Sequence, residues 1–388
     1  MLNSFQISNF RLFEKLEVKK LGRVNLIVGK NNSGKSTFLE AIQIYANNAT
    51  YEILLDLIYA RQETWSNDAN KSHLPATRYA QNLFLQQVPN FRKNSVRHLF
   101  FGHQIPEINE QGLSLGEVPP SIPLNLYVAI YKNQQNDELG LRKVRIYPSQ
   151  LPELNEDLDD VEIYLVAEEG ERLTRLFRLE MDLTSPRHQT LSGIYERQEN
   201  LPKYVYQTVS TDNMSSKRLA YLWNLTSLTD LKSDVISALK LIDQRVVAVV
   251  FVDGEIDERI PMVQMQGIDE PLPLKSMGDG IMRIFHITVA LVNAKNGILL
   301  IDEFENGLHW TVQPKVWDII FQLAERLNVQ IFATTHSRDC VQAFEKIWNK
   351  YPESGAFFRL DEKNGKIKAT EYTLETLADS LEMDVEVR

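Results

Sequence analysis

The run Gly29-Lys30-Asn31-Asn32-Ser33-Gly34-Lys35-Ser36-Thr37 lies between the apolar Val24-Asn25-Leu26-Ile27-Val28 and the amphipathic Phe38-Leu39-Glu40-Ala41-Ile42. A chain with this pattern must leave a buried strand, turn sharply and open a helix, which predicts an α/β fold. Gly29 and Gly34 let the backbone wrap an anion, so that successive amide hydrogens and the positive end of a helix starting near Lys35 converge on phosphate oxygens. In such a loop Lys35 reaches the β and γ phosphates and the Ser36 hydroxyl ligates Mg²⁺. Asn31, Asn32, Ser33, Gly34 and Thr37 are counted with them as nucleotide-binding residues. The loop predicts a nucleoside triphosphate ligand and, alone, leaves a kinase, a GTPase and a motor ATPase open.

A chain of 388 residues is too long for one simple core and predicts two domains, or one domain with a large insertion. Lys and Arg total 42 against 52 Asp and Glu, a net charge of −10. Any attraction to DNA must therefore come from a local patch. The single cysteine, Cys340, excludes an internal disulfide and a cysteine-based zinc site, which fits a reducing cytosol. The N-terminus lacks the basic start and apolar stretch of a signal peptide, and no apolar run approaches the ~20 residues that cross a bilayer. A cytoplasmic protein without membrane contact is expected.

Strands are expected over Leu2 to Ile7 and Val24 to Val28, with a charged connector around Lys15 to Lys20 between them. A helix follows the loop to about Asn47, and a helical pattern, broken at Pro75, runs from Tyr51 to Leu85. Beyond Pro89, prolines punctuate short extended runs such as Leu124 to Tyr131, Val144 to Tyr147 and Val161 to Val166, predicting an antiparallel β region. Glu153, Glu156, Asp157, Asp159, Asp160 and Glu162 read as a solvated acidic connector rather than a metal site. Residues 215 to 243 read as helical, and Arg245 to Phe251 pairs with Ile260 to Val263 across an Asp253-Gly254 turn. The last third alternates helix and strand, with strands at Ile298 to Ile301 and Val329 to Thr334, as in a parallel, doubly wound sheet.

The strand Ile298-Leu299-Leu300-Ile301 ends in two acids: Asp302 to hold the water shell of Mg²⁺ and Glu303 to polarise an attacking water. The later strand ends in Thr334-Thr335-His336-Ser337, which places an imidazole at the same sheet edge. Between loop and acids, Leu274-Lys275-Ser276-Met277-Gly278-Asp279-Gly280 precedes a helix.

Together these pieces resemble the ABC-type ATPase head. Within that superfamily, Ile7-Ser8-Asn9-Phe10-Arg11, the loop with its strand, Asp302-Glu303-Phe304-Glu305-Asn306-Gly307-Leu308-His309 and Thr334-Thr335-His336-Ser337 are similar to the OLD-like ATPases and the wider SMC and RecF-like group. The resemblance implies a P-loop head with a mainly parallel core sheet, an antiparallel β lobe and a helical insertion. Residues 1–50 and 246–388 would form the head and 51–245 the inserted α+β region. It also implies that Ser276 and the Gly278 amide bind the γ-phosphate of a nucleotide held by the opposite subunit, that His336 senses the γ-phosphate, that Arg11 lies near the nucleotide, and that the Glu305 to His309 turn crosses a dimer interface. The implied activity is ATP hydrolysis with Mg²⁺, in which Lys35, Glu303 and His336 are catalytic, by a homodimer or higher even oligomer acting as a switch. The implied context is a sensor or regulatory subunit of an anti-phage defence system with a separate nuclease or toxin as effector. OLD nucleases carry a TOPRIM domain after the ATPase; the stretch after His336 is too short for one, so cleavage by this chain is not expected. The alternative is a DNA-repair ATPase of RecF or SMC type that clamps DNA, with Arg92, Lys93, Arg97, His98, Arg142, Lys143, Arg145, Lys217 and Arg218 as candidate contacts. A small-molecule kinase fits less well, because Asp302, Glu303 and His336 suit attack by water.

Overall fold

The computed structural model describes residues 1–63, 94–108, 110–119, 121–136, 140–147, 161–179, 201–254, 258–383 and 385–387. The expected helical pattern beyond residue 63, Arg92, Lys93 and the acidic residues 153–160 lie outside them. The chain opens with strands β1 (Phe5–Phe10) and β2 (Phe13–Val18). Strand β3 (Val24–Val28) and helix α1 (Lys35–Ala46) flank the glycine-rich loop, and α2 (Tyr51–Ala60) follows. Then come β4 (Leu113–Gly116), β5 (Leu124–Asn136), β6 (Gly140–Ile146), β7 (Val161–Glu169) and β8 (Arg172–Arg178). Strand β9 (Tyr206–Val209) leads into α3 (Ser216–Ser227), α4 (Lys232–Leu239), β10 (Val246–Asp253), β11 (Arg259–Met265) and β12 (Leu272–Pro273). The remainder is α5 (Asp279–Asn293), β13 (Ile298–Ile301), α6 (Gln313–Arg326), β14 (Gln330–Thr335), α7 (Arg338–Lys350), β15 (Gly355–Lys363), β16 (Lys366–Tyr372) and α8 (Leu374–Glu382).

These elements form two compact units: Met1–Phe5, Val18–Leu39 and Tyr204–Arg388 in the first, Gln6–Glu17 and Glu40–Lys203 in the second. The first unit holds a six-stranded sheet in the order β16-β15-β3-β14-β13-β9. Every pair from β15 to β9 is parallel, and only β16 runs antiparallel to its neighbour. Its inner strands are apolar almost throughout because helices cover both faces. On one face Phe38 of α1 packs against Phe5, Phe332 and Phe358, with ring centroids 5.9, 6.4 and 5.3 Å away. On the other, Val24, Leu26 and Val28 join a core that includes Phe285 of α5, Trp317 and Phe321 of α6 and Phe344 of α7. Asn25 is the polar exception in β3: its buried amide donates to the Gly22 and Ile331 carbonyls and its oxygen accepts from the Gly22 amide, so the entry turn is tied to β14. The hairpin β10–β11, with β12 beside β11, forms a separate antiparallel sheet in this unit.

The second unit is built on a seven-stranded sheet, β2-β1-β4-β5-β7-β8, with β6 pairing along β5. The pairs from β1 through β8 are antiparallel, and the central strands β4, β5 and β7 are buried on both faces. Leu126, Val128, Ile130, Ile163 and Leu165 are fully buried on one face. Their neighbours Tyr127, Ala129, Tyr131, Tyr164 and Val166 form a second, aromatic layer. Lys143 lies 4.9 Å from the Tyr164 ring and Arg145 lies 5.0 Å from that of Tyr127.

The units divide the chain elsewhere than the expected insert of 51–245. Residues 204–245 fold with the first unit because β9 pairs in parallel with β13 and because Leu219, Leu222 and Trp223 of α3 enter the same core as α5. The segment read as a charged connector is largely β2, whose Phe13, Leu16 and Val18 are buried while Glu14 and Lys15 are exposed. Among the described residues no helix is long and apolar enough to cross a membrane.

Candidate functional site

The loop leaves β3 at Gly29 and enters α1 at Lys35, the junction the sequence predicts. Gly29, Asn32 and Gly34 take positive φ values of 152°, 62° and 93°, which two glycines and an asparagine accommodate. A side chain at Gly29 would run into Ser33 and into the Leu360 carbonyl, 2.6 Å from the new carbon. The loop is thereby packed against β15. Lys35 Nζ bends back over it, donating to the carbonyls of Gly29 at 2.8 Å and Lys30 at 3.1 Å. Burial lowers the Lys35 pKa, and the nearby carboxylates of Asp302, Glu303 and Glu305 oppose the shift. An ammonium held by neutral carbonyls keeps its charge available to an anion in the loop.

The parallel register β3-β14-β13 brings the second half of the site to the same edge. Ser36 Oγ donates to Asp302 Oδ2 at 2.8 Å, although 266 residues separate them. The hydroxyl of Thr334, at the end of β14, donates to the other Asp302 oxygen and accepts from the Glu303 amide at 2.9 Å. The Ser36 and Asp302 oxygens fit Mg²⁺: two neighbouring ligands of an octahedral ion at about 2.0–2.1 Å stand roughly 2.9 Å apart. Their separation matches that edge.

Glu303 occupies the left-handed region, at φ 47°. A non-glycine residue remains there only if its surroundings hold it. Two groups do so. Phe304, which follows it, is wholly buried and stacks on Trp317 of α6 at 3.9 Å. Arg283 of α5, itself only 1% exposed, donates to the carbonyls of Asp302 at 2.6 Å and Glu303 at 2.8 Å. Its other nitrogen donates to Ser210 O at 2.7 Å and Asn213 Oδ1 at 2.8 Å, in the turn after β9. Burial pulls the Arg283 pKa down to about 10, with Glu305, Asp302 and Glu303 opposing, so the guanidinium is charged at neutral pH. Close by, His286 accepts the Met214 amide at Nδ1, 3.2 Å away, and burial, reinforced by Arg283, lowers its pKa to about 4. Neither Arg283 nor His286 was legible as a site residue, because their partners, mostly backbone groups, lie on remote segments. The one sequence signal is a lone cation and an imidazole among the apolar positions of α5.

His336 follows β14 at the same edge, its Nδ1 lying 3.2 Å from Glu305 and 3.7 Å from Glu303. The loop, Asp302, Glu303 and His336 therefore lie at one end of the parallel strands, as their positions in sequence predicted. Ser276 and Gly278 stand just before α5, with local contacts: Ser276 Oγ donates to Pro273 O and the Gly278 amide to Lys275 O. Gly280 approaches the Gly307 carbonyl, which joins this segment to the Glu305–His309 turn within the same unit. Arg11, expected near nucleotide, is buried in the second unit, where its guanidinium meets Glu40 at 3.0 Å and Glu63 at 2.5 Å.

Several of the candidate DNA contacts are engaged by neighbouring side chains. Arg97 donates to His98, Lys143 pairs with Glu162, Arg145 donates to the Tyr127 hydroxyl and Arg218 donates to Gln207. The side chain of Arg142 lies outside the described residues.

A family profile described as an AAA ATPase domain matches residues 1–95 and 153–341. An ATP/GTP phosphatase of Helicobacter pylori is 22% identical over 358 residues, 89% of this chain and 88% of its own. The DNA replication and repair protein RecF of Clostridioides difficile is 49% identical over 41 residues, 11% of each chain. Among solved structures, an SMC head bound to the C-winged helix domain of ScpA covers 96% of this chain and 98% of its own, at 12% identity and a TM-score of 0.47. An SMC head domain from Thermotoga maritima gives the same coverage at 10% identity and a TM-score of 0.40.

Proposed function

The chain belongs to the AAA ATPase domain family, and we propose that it is an ATP-hydrolysing switch that works as a pair of heads. The observation that carries this reading is the meeting of Ser36 with Asp302 at 2.8 Å, beside Lys35, Glu303 and His336. The amides of residues Asn31–Thr37 would cradle the triphosphate and Lys35 would neutralise its outer phosphates. Ser36 and Asp302 would hold Mg²⁺, which when bound screens phosphate charge and fixes phosphate oxygens. Glu303 would take the proton of the attacking water, and His336 would contact the γ-phosphate. Ser276 of the partner subunit and Gly278 of the partner subunit would close each site, so that ATP holds two heads together until it is cleaved.

Lys35→Ala is expected to abolish nucleotide binding, read by titration calorimetry. Glu303→Gln is expected to retain binding, lose 10²–10⁴-fold in turnover, roughly the contribution of a positioned base, and accumulate an ATP-bound dimer in gel filtration. Normal hydrolysis by Glu303→Gln would overturn the reading.

The context in which such a switch would act is a defence system with a separate effector nuclease or toxin; the OLD-like motif set supports this reading. Phage plating on cells with the intact system and on cells carrying Lys35→Ala tests it, and equal plaque counts would remove it. The second reading, a DNA-repair ATPase, is favoured by the short stretch of high identity with RecF. It requires DNA affinity that falls steeply with added salt.

A further inference from the structure

We infer that Glu305 is a positioning residue that fixes the tautomer and direction of the His336 ring. Its Oε1 accepts the backbone amide of His336 at 3.0 Å and faces Nδ1 of the same residue at 3.2 Å. One carboxylate oxygen thus holds the main chain by a hydrogen bond and lies within ion-pair distance of the ring. The Glu305 side chain is only 11% exposed, and its second oxygen is buried with no hydrogen-bond partner among the described residues. A carboxylate so enclosed cannot turn to solvent, and its direction is set from both sides. Phe304 beside it is stacked on Trp317 and bonded through its amide to Thr334 O, while the Glu305 carbonyl accepts the Leu308 amide at 2.8 Å.

An ionised carboxylate only accepts hydrogen bonds, so the Nδ1 that faces it carries the hydrogen. Glu303 Oε1, 3.7 Å from the same nitrogen, favours the same choice. In the neutral ring Nε2 then carries the lone pair. Without Glu305 nothing at Nδ1 discriminates so strongly between the two neutral tautomers, and the ring gains rotational freedom. The tautomer stands on geometry alone; its effect on turnover rests on the proposed contact between His336 and the γ-phosphate.

The test uses the full chain labelled with ¹⁵N and free of nucleotide, at a pH where the ring is neutral. Long-range ¹H–¹⁵N spectra report which nitrogen bears the hydrogen, and the signals lost in His336→Gln identify the residue. The wild type is expected to show Nδ1 protonated and Nε2 bare. Glu305→Ala is expected to move His336 toward the Nε2-protonated form, whereas Glu305→Gln keeps an acceptor oxygen and the original tautomer. In steady-state hydrolysis, Glu305→Ala is expected to lose about 10²-fold in kcat at little changed KM, the scale of a displaced catalytic group, with most of it recovered in Glu305→Gln. A wild-type ring protonated at Nε2 overturns the inference without recourse to any variant, as does a tautomer that Glu305→Ala leaves unchanged. If the expected tautomer is found but the wild type does not hydrolyse ATP, the proposed function fails and the role of Glu305 in holding the ring stands.

Discussion

The glycine-rich loop of the first unit and the sheet of the second use their cations in opposite ways. Around the loop of the first unit, positive charge is directed at neutral oxygens: Lys35 donates to two loop carbonyls, and Arg283 donates to three carbonyls and one side-chain amide oxygen. In the sheet of the second unit, charge is answered by charge. Glu162 receives Lys143 at 2.8 Å and Arg178 at 2.9 Å, with the Tyr164 hydroxyl also at 2.8 Å. Burial would push the Glu162 carboxyl up, but Lys143, Tyr164 and Arg178 prevail and hold it below its ordinary value. A cation bonded to carbonyls shapes a backbone and retains its field for a ligand. A cation bonded to a carboxylate is neutralised and ties strands together.

The contrast can be broken at three points. The largest expected effect comes from acid. His286 is held neutral in the first unit, its pKa moving from 6.5 to about 4, so below pH 6.5 the unfolded chain binds a proton that the fold refuses. Its contribution is fully present above pH 6.5 and falls away toward pH 4, a loss on the order of 3 kcal/mol. Hydrogen exchange between pH 7 and 4.5 should show α5 and β9 losing protection before β5 and β7, and His286→Gln should flatten that trend. Next is Arg283→Lys, which keeps the charge but cannot reach two carbonyls with one nitrogen and two further oxygens with the other. Turnover is expected to fall about 10²-fold with nucleotide affinity retained, as for a catalytic group displaced by about 1 Å. A fall in affinity with unchanged kcat would show that Arg283 serves the loop rather than Glu303. The smallest is Glu162→Gln, expected to cost about 2 kcal/mol in a urea titration while leaving kcat unchanged. A loss of activity at equal folded fraction would show that the second unit does more than brace itself.

Legibility followed the same division. The loop, the strand ending in Asp302 and Glu303, and the strand before His336 could be read because each is a local pattern: an apolar run buried on both faces, stopped by the candidate site residues. The helical reading of 215–243 and the pairing of β10 with β11 were legible from local periodicity and the Asp253-Gly254 turn signal. What could not be read was assembled across distance. Arg283 looks like one charge in an apolar helix until Ser210, Asn213, Asp302 and Glu303 surround it. Glu305 belongs to a turn that resemblance assigned to a dimer interface, and its inward carboxylate depends on where β14 ends. Strand β9 was missed because Tyr206–Val209 is too short to show a period, and it is a strand only because β13 lies beside it. The ion pairs of Arg11 with Glu40 and Glu63 were likewise not legible, because 29 and 52 residues separate the partners.

The place of β3 in its sheet has a consequence for how the molecule is made. Leu26 lies in register with Ala333 on one side and Phe357 on the other, so the strand that carries the loop has no neighbours until more than three hundred further residues have been synthesised. On the ribosome the glycine-rich loop emerges almost first and is completed almost last, a slow, non-local closure that leaves an apolar strand edge in need of shelter meanwhile. Premature termination before β14 would release a chain that displays the nucleotide motif on a strand with neither of its partners.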